Sequence, residues 1–298
     1  MIFIAELCQN HNGDFEILKD MVYAAKDSGA TYAKIQNIFA DTLSFRERFE
    51  KGIVEKDITK VIKRPYKEEY NRLKKLEISY KQNEEFISIC QKAKIKPLTT
   101  SFTCDDIFNL QNAGFKEIKI ASYDCASYPL LEIAKDSFDK VYVSTGATYD
   151  SEIQKAANIL SESEFSFLHC VTIYPTPLNH FNLARMNYLR KFSNEVGWSD
   201  HSLATDENIN GTIAAIYYGA NIIERHFTIL PKDSTKDGPV SINPSQLKKI
   251  MEFSKFSDQD LKYYLEKNFP DYIKCFGTEN RDLTTEEGYA RGLIFTPL

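Results

Sequence analysis

The segment EVGWSDHSLATDENINGTIAAIYYGANIIERHFT, residues 195–228, has the pattern of a strand, a helix and a second strand. Its two apolar runs, residues 195–200 and 221–228, have the length of strands, and the amphipathic stretch between them ends in a glycine, a common helix stop. His201 and His226 lie where these strands end. A strand, a helix and a strand in succession predict two parallel strands joined by a helical crossover.

The same pattern recurs along the chain, which predicts eight strand–helix units. Eight parallel units in one domain favour an α/β fold of the closed (β/α)8 type, a TIM barrel. A doubly wound sheet is the alternative, but no glycine-rich dinucleotide fingerprint follows the first strand. The predicted strands are residues 2–7, 32–36, 96–102, 117–122, 140–146, 165–170, 195–200 and 221–228.

One connection breaks the regular spacing, because residues 37–80 separate the second predicted strand from its helix. This stretch is rich in charged residues and tyrosine, so it is too polar for the core. Connections of this length in compact domains are usually functional. We expect either a lid with its own short helix or a contact between subunits.

The composition excludes several classes of protein. The 298 residues carry a formal charge of -5, which argues against general binding to nucleic acid or to a membrane surface. No window approaches the roughly 18 uninterrupted apolar residues of a membrane span, and the first residues lack the basic start of a signal peptide. The six cysteines are scattered singly, so neither a zinc knuckle nor a disulfide framework is indicated. We therefore expect a cytoplasmic protein.

Chemistry in a TIM barrel lies at the carboxyl ends of the strands, and the predicted strand ends carry polar residues all round. Side chains two apart share a face of a strand, so Ser199 goes with His201, and Glu224 goes with His226, towards the barrel mouth. Arg225 then faces the helices. The polar residues at the strand ends include Glu6, Lys34, Gln36, Thr100, Lys119, Ser122, Asp124, Ser144, Tyr174, Ser199, His201, Glu224 and His226.

Two kinds of ligand site follow from these residue types. Two histidines at neighbouring strand ends, with carboxylates close by, can bind a divalent transition metal; the alternative is that His201 and His226 only form hydrogen bonds within the barrel. A closed barrel has no edge strand, so Lys34 and Lys119 point inward and need an anion. With nearby hydroxyls they predict a phosphate or carboxylate site, although one lysine could instead form a Schiff base, as in lysine-dependent aldolases.

Eight motifs resemble, in order and spacing, those of the sialic acid synthase family. They are IAELCQNHNGDFE, AKIQN, LTTSF, IKIASYD, VSTGA, LHCVTIYPTP, GWSDHS and ERHFT, and the resemblance runs from residue 2 to about residue 244. Members of that family make nonulosonic acids by condensing phosphoenolpyruvate with an N-acylated amino-sugar aldehyde and releasing phosphate. The resemblance implies a TIM-barrel transferase that forms a carbon–carbon bond, takes phosphoenolpyruvate and an N-acyl hexosamine, and works as a homodimer.

The resemblance also implies roles for individual residues. His201 and His226 are expected to bind a divalent metal, Mn2+ in the first place, with Mg2+ or Co2+ as alternatives. Lys34 and Lys119 are expected to hold phosphoenolpyruvate. The expected catalytic residues are Glu6, Asp124, His201 and His226, and the expected substrate-binding residues are Lys34, Gln36, Thr100, Lys119, Ser122, Thr172, Tyr174, Ser199 and Asp237.

Three positions depart from the motifs of the family. Asp124 stands where the family usually has a glutamate, so its carboxylate is on a shorter side chain. Thr172 stands where an asparagine is common, and it can replace only part of the hydrogen bonding of an amide. The segment after ERHFT lacks the aspartate that often follows Gly-Pro, and Asp237 is the candidate for its place.

The domain organisation is the last departure. We expect a barrel domain over residues 1–270 and a linker or tail over residues 271–298, without the C-terminal antifreeze-like domain usual in the family. In the family, that domain sends an arginine into the sugar site of a neighbouring subunit. We expect one of three explanations here: the domain has been truncated away, it is supplied by a separate protein, or it is dispensable. Sugar selectivity is expected in residues 37–80 and in the antifreeze-like domain. A Schiff-base aldolase or lyase and a partner-dependent or non-catalytic ligand-binding barrel remain as alternatives.

Overall fold

Eight parallel strands close into a barrel in the computed structural model, which describes residues 1–55, 58–61 and 63–290. The barrel strands are β1 (Ile2–Cys8), β2 (Tyr32–Gln36), β5 (Lys96–Ser101), β6 (Glu117–Ile120), β7 (Lys140–Ser144), β8 (Phe165–Cys170), β9 (Val196–Asp200) and β10 (Ile222–His226). They are hydrogen-bonded in the order β1-β10-β9-β8-β7-β6-β5-β2, and β2 returns to β1. The predicted TIM barrel and all eight predicted strands are confirmed.

Helices surround the barrel and cover its apolar outer face. They begin and end at the expected residue types: the Asp14 side chain accepts the backbone N–H groups of Glu16 and Ile17 at the start of the first helix. Gly114 ends the fifth helix with φ of 110°, a left-handed conformation that suits glycine. The helices are α1 (Phe15–Asp27), α2 (Glu47–Lys51), α3 (Tyr66–Lys74), α4 (Tyr80–Ala93), α5 (Cys104–Ala113), α6 (Tyr128–Ser137), α7 (Asp150–Leu160), α8 (Arg185–Leu189), α9 (Asp206–Tyr217), α10 (Pro244–Phe253), α11 (Asp258–Asn268) and α12 (Thr285–Ala290). No described helix is both long and apolar enough to span a membrane.

The barrel interior is built in two layers. The lower layer is an apolar cluster of inward side chains: Ile4, Tyr32, Leu98, Tyr142, Leu168 and Ile222. Gly197 occupies the β9 position of this layer, where a Cβ atom would lie 2.6 Å from the backbone oxygen of Ile222. Because inward side chains recur every two residues, the next inward position of each strand forms an upper layer, at the carboxyl ends of the strands. That upper layer is polar.

The long connection between β2 and α4 folds into its own substructure. It contains two short helices, α2 and α3, where a single short helix was one of the two expectations, and an antiparallel hairpin of β3 (Ile53–Glu55) and β4 (Ile58–Val61). Leu73 packs with Ala40 and Phe102 at the barrel mouth, and Arg72 donates a 2.6 Å hydrogen bond to Gln9 Oε1 in the loop after β1. These contacts hold the insertion against the rim of the barrel. Its expected role, as a lid or as a contact between subunits, stays a prediction.

The chain after α11 packs back onto the barrel. The Leu183 N–H donates to the Cys275 carbonyl at 3.0 Å, and Cys275 is fully buried. Arg281 Nη1 lies 2.6 Å from Glu287 Oε2, and the buried Glu287 carboxylate accepts the backbone N–H of Thr172 at 3.3 Å. The described part of the predicted tail therefore contacts the barrel mouth, while the domain boundary expected at residue 270 stays a prediction.

A buried ion pair outside the barrel joins β9 and β10. Asp200 Oδ2 lies 3.3 Å from Arg225 Nη1, and neither side chain is exposed. Thr212 on α9 donates to Asp200 at 2.7 Å and accepts from Arg225 at 2.8 Å, while Ser202 provides further backbone partners to both. Arg225 faces the helices, as the strand alternation predicts. The residues next to Asp200 and Arg225 along each strand therefore point into the barrel mouth.

We expect Asp200→Asn to lower the free energy of unfolding by about 3–5 kcal/mol, because the Arg225 charge is left buried without its carboxylate. Urea denaturation of the wild type, both single variants and the pair Asp200→Asn/Arg225→Met measures the coupling between the two residues. The double variant is expected to lose less than the sum of the single losses. Additive losses, or a loss below about 1 kcal/mol in Asp200→Asn, would contradict this account of the pair.

Candidate active site

A cavity of about 840 Å³ opens at the carboxyl ends of the barrel strands. Its floor is the polar upper layer, and its outer wall includes residues of the insertion. The sequence-predicted site residues that line it are Glu6, Lys34, Gln36, Thr100, Lys119, Ser122, Thr172, Tyr174, Ser199, His201, His226 and Asp237. One cavity therefore brings together every predicted site residue except Asp124.

Lys34 lies at the base of the cavity. Its ammonium contacts the Glu6 carboxylate and donates to Thr100 Oγ1 at 2.9 Å. Burial lowers the pKa of Lys34 to about 7, although the charge of Glu224 opposes the shift. The contact with Glu6 also favours the ammonium form, so both carboxylate neighbours oppose the effect of burial on Lys34.

Lys119 lies beside it on β6 and is equally buried. Lys119 Nζ donates to Ser144 Oγ at 2.6 Å and lies 3.8 Å from Glu224 Oε2. Ser199 donates to the other oxygen of Glu224 at 3.0 Å. Burial alone would raise the pKa of Glu224, but Lys119 and Lys34 together hold it below its ordinary value. Two lysines and two carboxylates thus form two pairs on the cavity floor, Lys34 with Glu6 and Lys119 with Glu224.

His201 and His226 face each other above this floor. Their ring centroids are 5.4 Å apart, and Tyr174 packs against His201 with centroids 4.2 Å apart. Burial holds the pKa of His201 well below its ordinary value and also lowers that of His226. Neutral imidazole is the form that binds a metal. His226 Nδ1 is buried and has no hydrogen-bond partner among the described residues, so the pair fits a divalent ion.

Cys8 and Asp237 lie next to His226. One donor atom from each of the three side chains lies within 4.8 Å of the other two. Neither Cys8 as a site residue nor this proximity was expected from the sequence. Its position two residues after Glu6, on a strand that ends at the mouth, was the available signal.

The structure does not bring Asp124 to the cavity. After β6 the chain enters a 3-10 turn, Ser122–Asp124, so the strand alternation no longer applies. Asp124 is fully buried, neither carboxylate oxygen has a hydrogen-bond partner among the described residues, and burial raises its pKa to about 7. Tyr123, which sequence analysis did not select, lines the cavity at this turn instead.

The insertion supplies a charged outer wall that the motifs did not identify in detail. Arg64 and Arg72 both line the cavity, and each lies 2.8 Å from the same oxygen of Glu69. Arg46 of the insertion lines it as well, and Lys236 lines it from the segment after β10. The run KRPYKEEYNRLKK, residues 63–75, carried the signal for a basic surface, but sequence alone did not place it over the barrel mouth.

Known proteins resemble this chain over most of its length. The sequence model of the NeuB family matches residues 21–262. The chain is 29% identical to the N,N'-diacetyllegionaminic acid synthase of Campylobacter jejuni, over 99% of this chain and 87% of that protein. It is 32% identical to the protein of the same name from Legionella pneumophila, over 84% of this chain and 70% of that protein.

A solved structure agrees with these sequence relationships. The N-acetylneuraminic acid (sialic acid) synthetase of Leptospira borgpetersenii, in complex with citrate, is 29% identical, with a TM-score of 0.73. The match covers 89% of this chain and 84% of that one. The resemblance seen in the eight motifs is confirmed, and this chain belongs to the NeuB family.

Proposed function

We propose that this chain is a nonulosonic acid synthase, which condenses phosphoenolpyruvate with an open-chain N-acylated amino sugar and releases phosphate. The observation that carries the proposal is the pair of buried lysines on the cavity floor, directly below two facing histidines. Phosphoenolpyruvate is a small anion with a phosphate and a carboxylate, and Lys34 and Lys119 are two buried cations. The NeuB family membership of the chain and the synthase names of its relatives support the same reaction.

The lysines bind the phosphate and the carboxylate of phosphoenolpyruvate, with hydroxyl groups as further donors. Charge-assisted hydrogen bonds of this kind are stronger than neutral ones, and the buried floor weakens their screening by water. The hydroxyl donors in this proposal are Thr100, Ser122 and Ser199. This arrangement holds the substrate without a covalent link to the enzyme.

The proposed reaction makes one carbon–carbon bond and cleaves one phosphate ester with water. The methylene carbon of phosphoenolpyruvate bonds to the aldehyde carbon, and the aldehyde oxygen takes up a proton to become a hydroxyl. Water adds to the carbon that carries the phosphate ester oxygen, and that carbon–oxygen bond then breaks. The products are a 2-keto acid and inorganic phosphate, so the barrel stabilises charge that develops on its substrates.

His201 and His226 hold a divalent ion, proposed to be Mn2+, that polarises the sugar aldehyde when bound. Glu6 and Gln36 contact the sugar or orient the attacking water from the floor of the cavity. Tyr174, Thr172 and Asp237 contact the sugar from the rim. Asp124 has no part in this proposal because its carboxylate does not reach the cavity.

A Schiff-base reaction is the second candidate. The lowered pKa of Lys34 favours it, since a buried lysine with a pKa of about 7 loses its proton more readily and can act as a nucleophile. The contacts of Lys34 with Glu6 and Thr100 favour the anion-binding role instead, because both partners stabilise an ammonium.

The first functional test is phosphate release from phosphoenolpyruvate with Mn2+ and a panel of N-acylated hexosamines. We expect phosphate and keto acid in equal amounts, and only when an amino sugar is present. Chelation should stop turnover reversibly. Alanine at His201 or His226 should lower kcat by about 100-fold or more, because several kcal/mol of charge stabilisation is lost.

His180→Ala is the matched control, since His180 does not line the cavity and its loss should leave kcat unchanged. Full turnover in chelator would contradict the metal-assisted reaction. Phosphate release that ignores the sugar would indicate hydrolysis instead of condensation. Absence of release with every sugar would favour a partner-dependent or non-catalytic barrel.

The second functional test separates the anion site from the Schiff base. Treatment with borohydride in the presence of pyruvate or of the keto-acid product should leave the mass of the protein unchanged, because neither lysine forms an imine. The same treatment of Lys34→Met and Lys119→Met gives the background. A mass increase in the wild type that disappears in either variant would establish the aldolase-type reaction and overturn the proposed one.

A further inference from the structure

Cys8 is the last residue of β1, and Asp237 lies in the segment between β10 and α10. Cys8 comes close to His226 because the barrel closes between β1 and β10, with Glu6 paired to His226 in the register of the two strands. Asp237 reaches His226 through the loop that follows β10. One donor atom from each of Cys8, His226 and Asp237 lies within 4.8 Å of the others. No other group of three such side chains occurs among the described residues.

The segment that carries Asp237 is held in place by buried hydrogen bonds. Asn10, in the loop after β1, donates to the Phe227 carbonyl at 3.0 Å and to Ser241 Oγ at 2.9 Å. Thr235 donates to Asn10 Oδ1 at 2.6 Å. Asn10 is fully buried, so these bonds fix the Asp237 segment against the end of β1. The cluster is therefore built by the fold and does not depend on one free side chain.

The donor set suits a divalent transition metal. Sulfur, nitrogen and oxygen donors on one tetrahedral zinc ion lie roughly 3–4 Å apart, given bonds of about 2.0–2.3 Å. The separations in this cluster, all within 4.8 Å, exceed that spacing by at most roughly 1–2 Å, which side-chain rotation can close. The buried Nδ1 of His226 without a described partner is an available donor that points to such a ligand.

We propose that Cys8 and Asp237 bind the divalent ion together with His226, as a thiolate, a carboxylate and an imidazole of one site. His201 lies beside this site as a further donor. The inference rests on the proposed function only for the presence of a divalent ion. The thiol proton leaves to solvent when the ion binds, and a thiolate ligand favours Zn2+, Co2+ or Fe2+ over Mg2+.

The site is tested by titrating the full-length, metal-free chain with Co2+. We expect a thiolate-to-cobalt charge-transfer band in the near ultraviolet, which saturates at one ion per chain. Cys8→Ser should abolish the band and weaken Co2+ binding by at least about 10-fold. Removal of a group that only supports a metal ligand already weakens binding by about 10-fold or more, so removal of a ligand should weaken it at least as much. Asp237→Asn should keep the band and also weaken binding.

Cys170→Ser is the matched control. Cys170 is a buried thiol whose sulfur lies 3.6 Å from His201 Nδ1, so it is the other thiol beside a site histidine. This variant should keep the band. Thermal unfolding checks that each variant is folded. If Cys8→Ser does not fold, Asp237→Asn provides the test, because a folded Asp237→Asn chain with unchanged Co2+ affinity overturns the proposal.

The outcomes separate this inference from the proposed function. Co2+ binding without a thiolate band, or a band that survives in Cys8→Ser, overturns the ligand assignment even if phosphate release is observed. A band lost in Cys8→Ser and kept in Cys170→Ser supports the assignment even if the sugar substrate has not been found. A wild-type chain that binds no Co2+ also overturns it.

Discussion

Closure of the barrel between β1 and β10 is the constraint on which the site depends. It pairs the first strand with the last, and thereby brings Glu6 and Cys8 next to Glu224 and His226. The alternation of side chains along each strand does the rest, because an apolar inward residue is followed two positions later by a polar one. The apolar layer fills the barrel, and the polar layer becomes the floor of an open cavity. Arg225 and Asp200 are outward residues of β10 and β9, and their ion pair holds both side chains on the helix side of the barrel.

The cavity floor is an arrangement of charges that could not be buried singly. Lys34 contacts Glu6, and Lys119 lies 3.8 Å from Glu224 Oε2, so each cation has an acidic neighbour that offsets part of the cost of burial. The low local dielectric that makes an unpaired charge costly also strengthens the attraction of these lysines for an anionic substrate. In the proposed function, the fold thus provides a strong anion site and keeps it stable in the absence of substrate.

Much of this could be predicted from the sequence, because it depends on strand period. Lys34, Lys119, Ser199, His201 and His226 lie on or directly after strands, and period-two alternation places them in the mouth. Beyond the strands the period gives no information. At the 3-10 turn after β6, Tyr123 lines the cavity and Asp124 does not. Asp237 reaches His226 only through the conformation of the loop that carries it. The insertion was recognisable from its length and charge, and a short helix was one expectation for it, but its hairpin and its contact with Gln9 depend on tertiary packing.

The central claim is that the enzyme breaks a carbon–oxygen bond of phosphoenolpyruvate while it makes a carbon–carbon bond. Turnover in water enriched in oxygen-18 tests this directly, with the released phosphate analysed by mass spectrometry. If water adds to carbon and the ester oxygen leaves with phosphorus, the phosphate carries no label. Label in the phosphate would mean that water attacks phosphorus, and the lysine site would then serve a phosphatase reaction instead of a condensation.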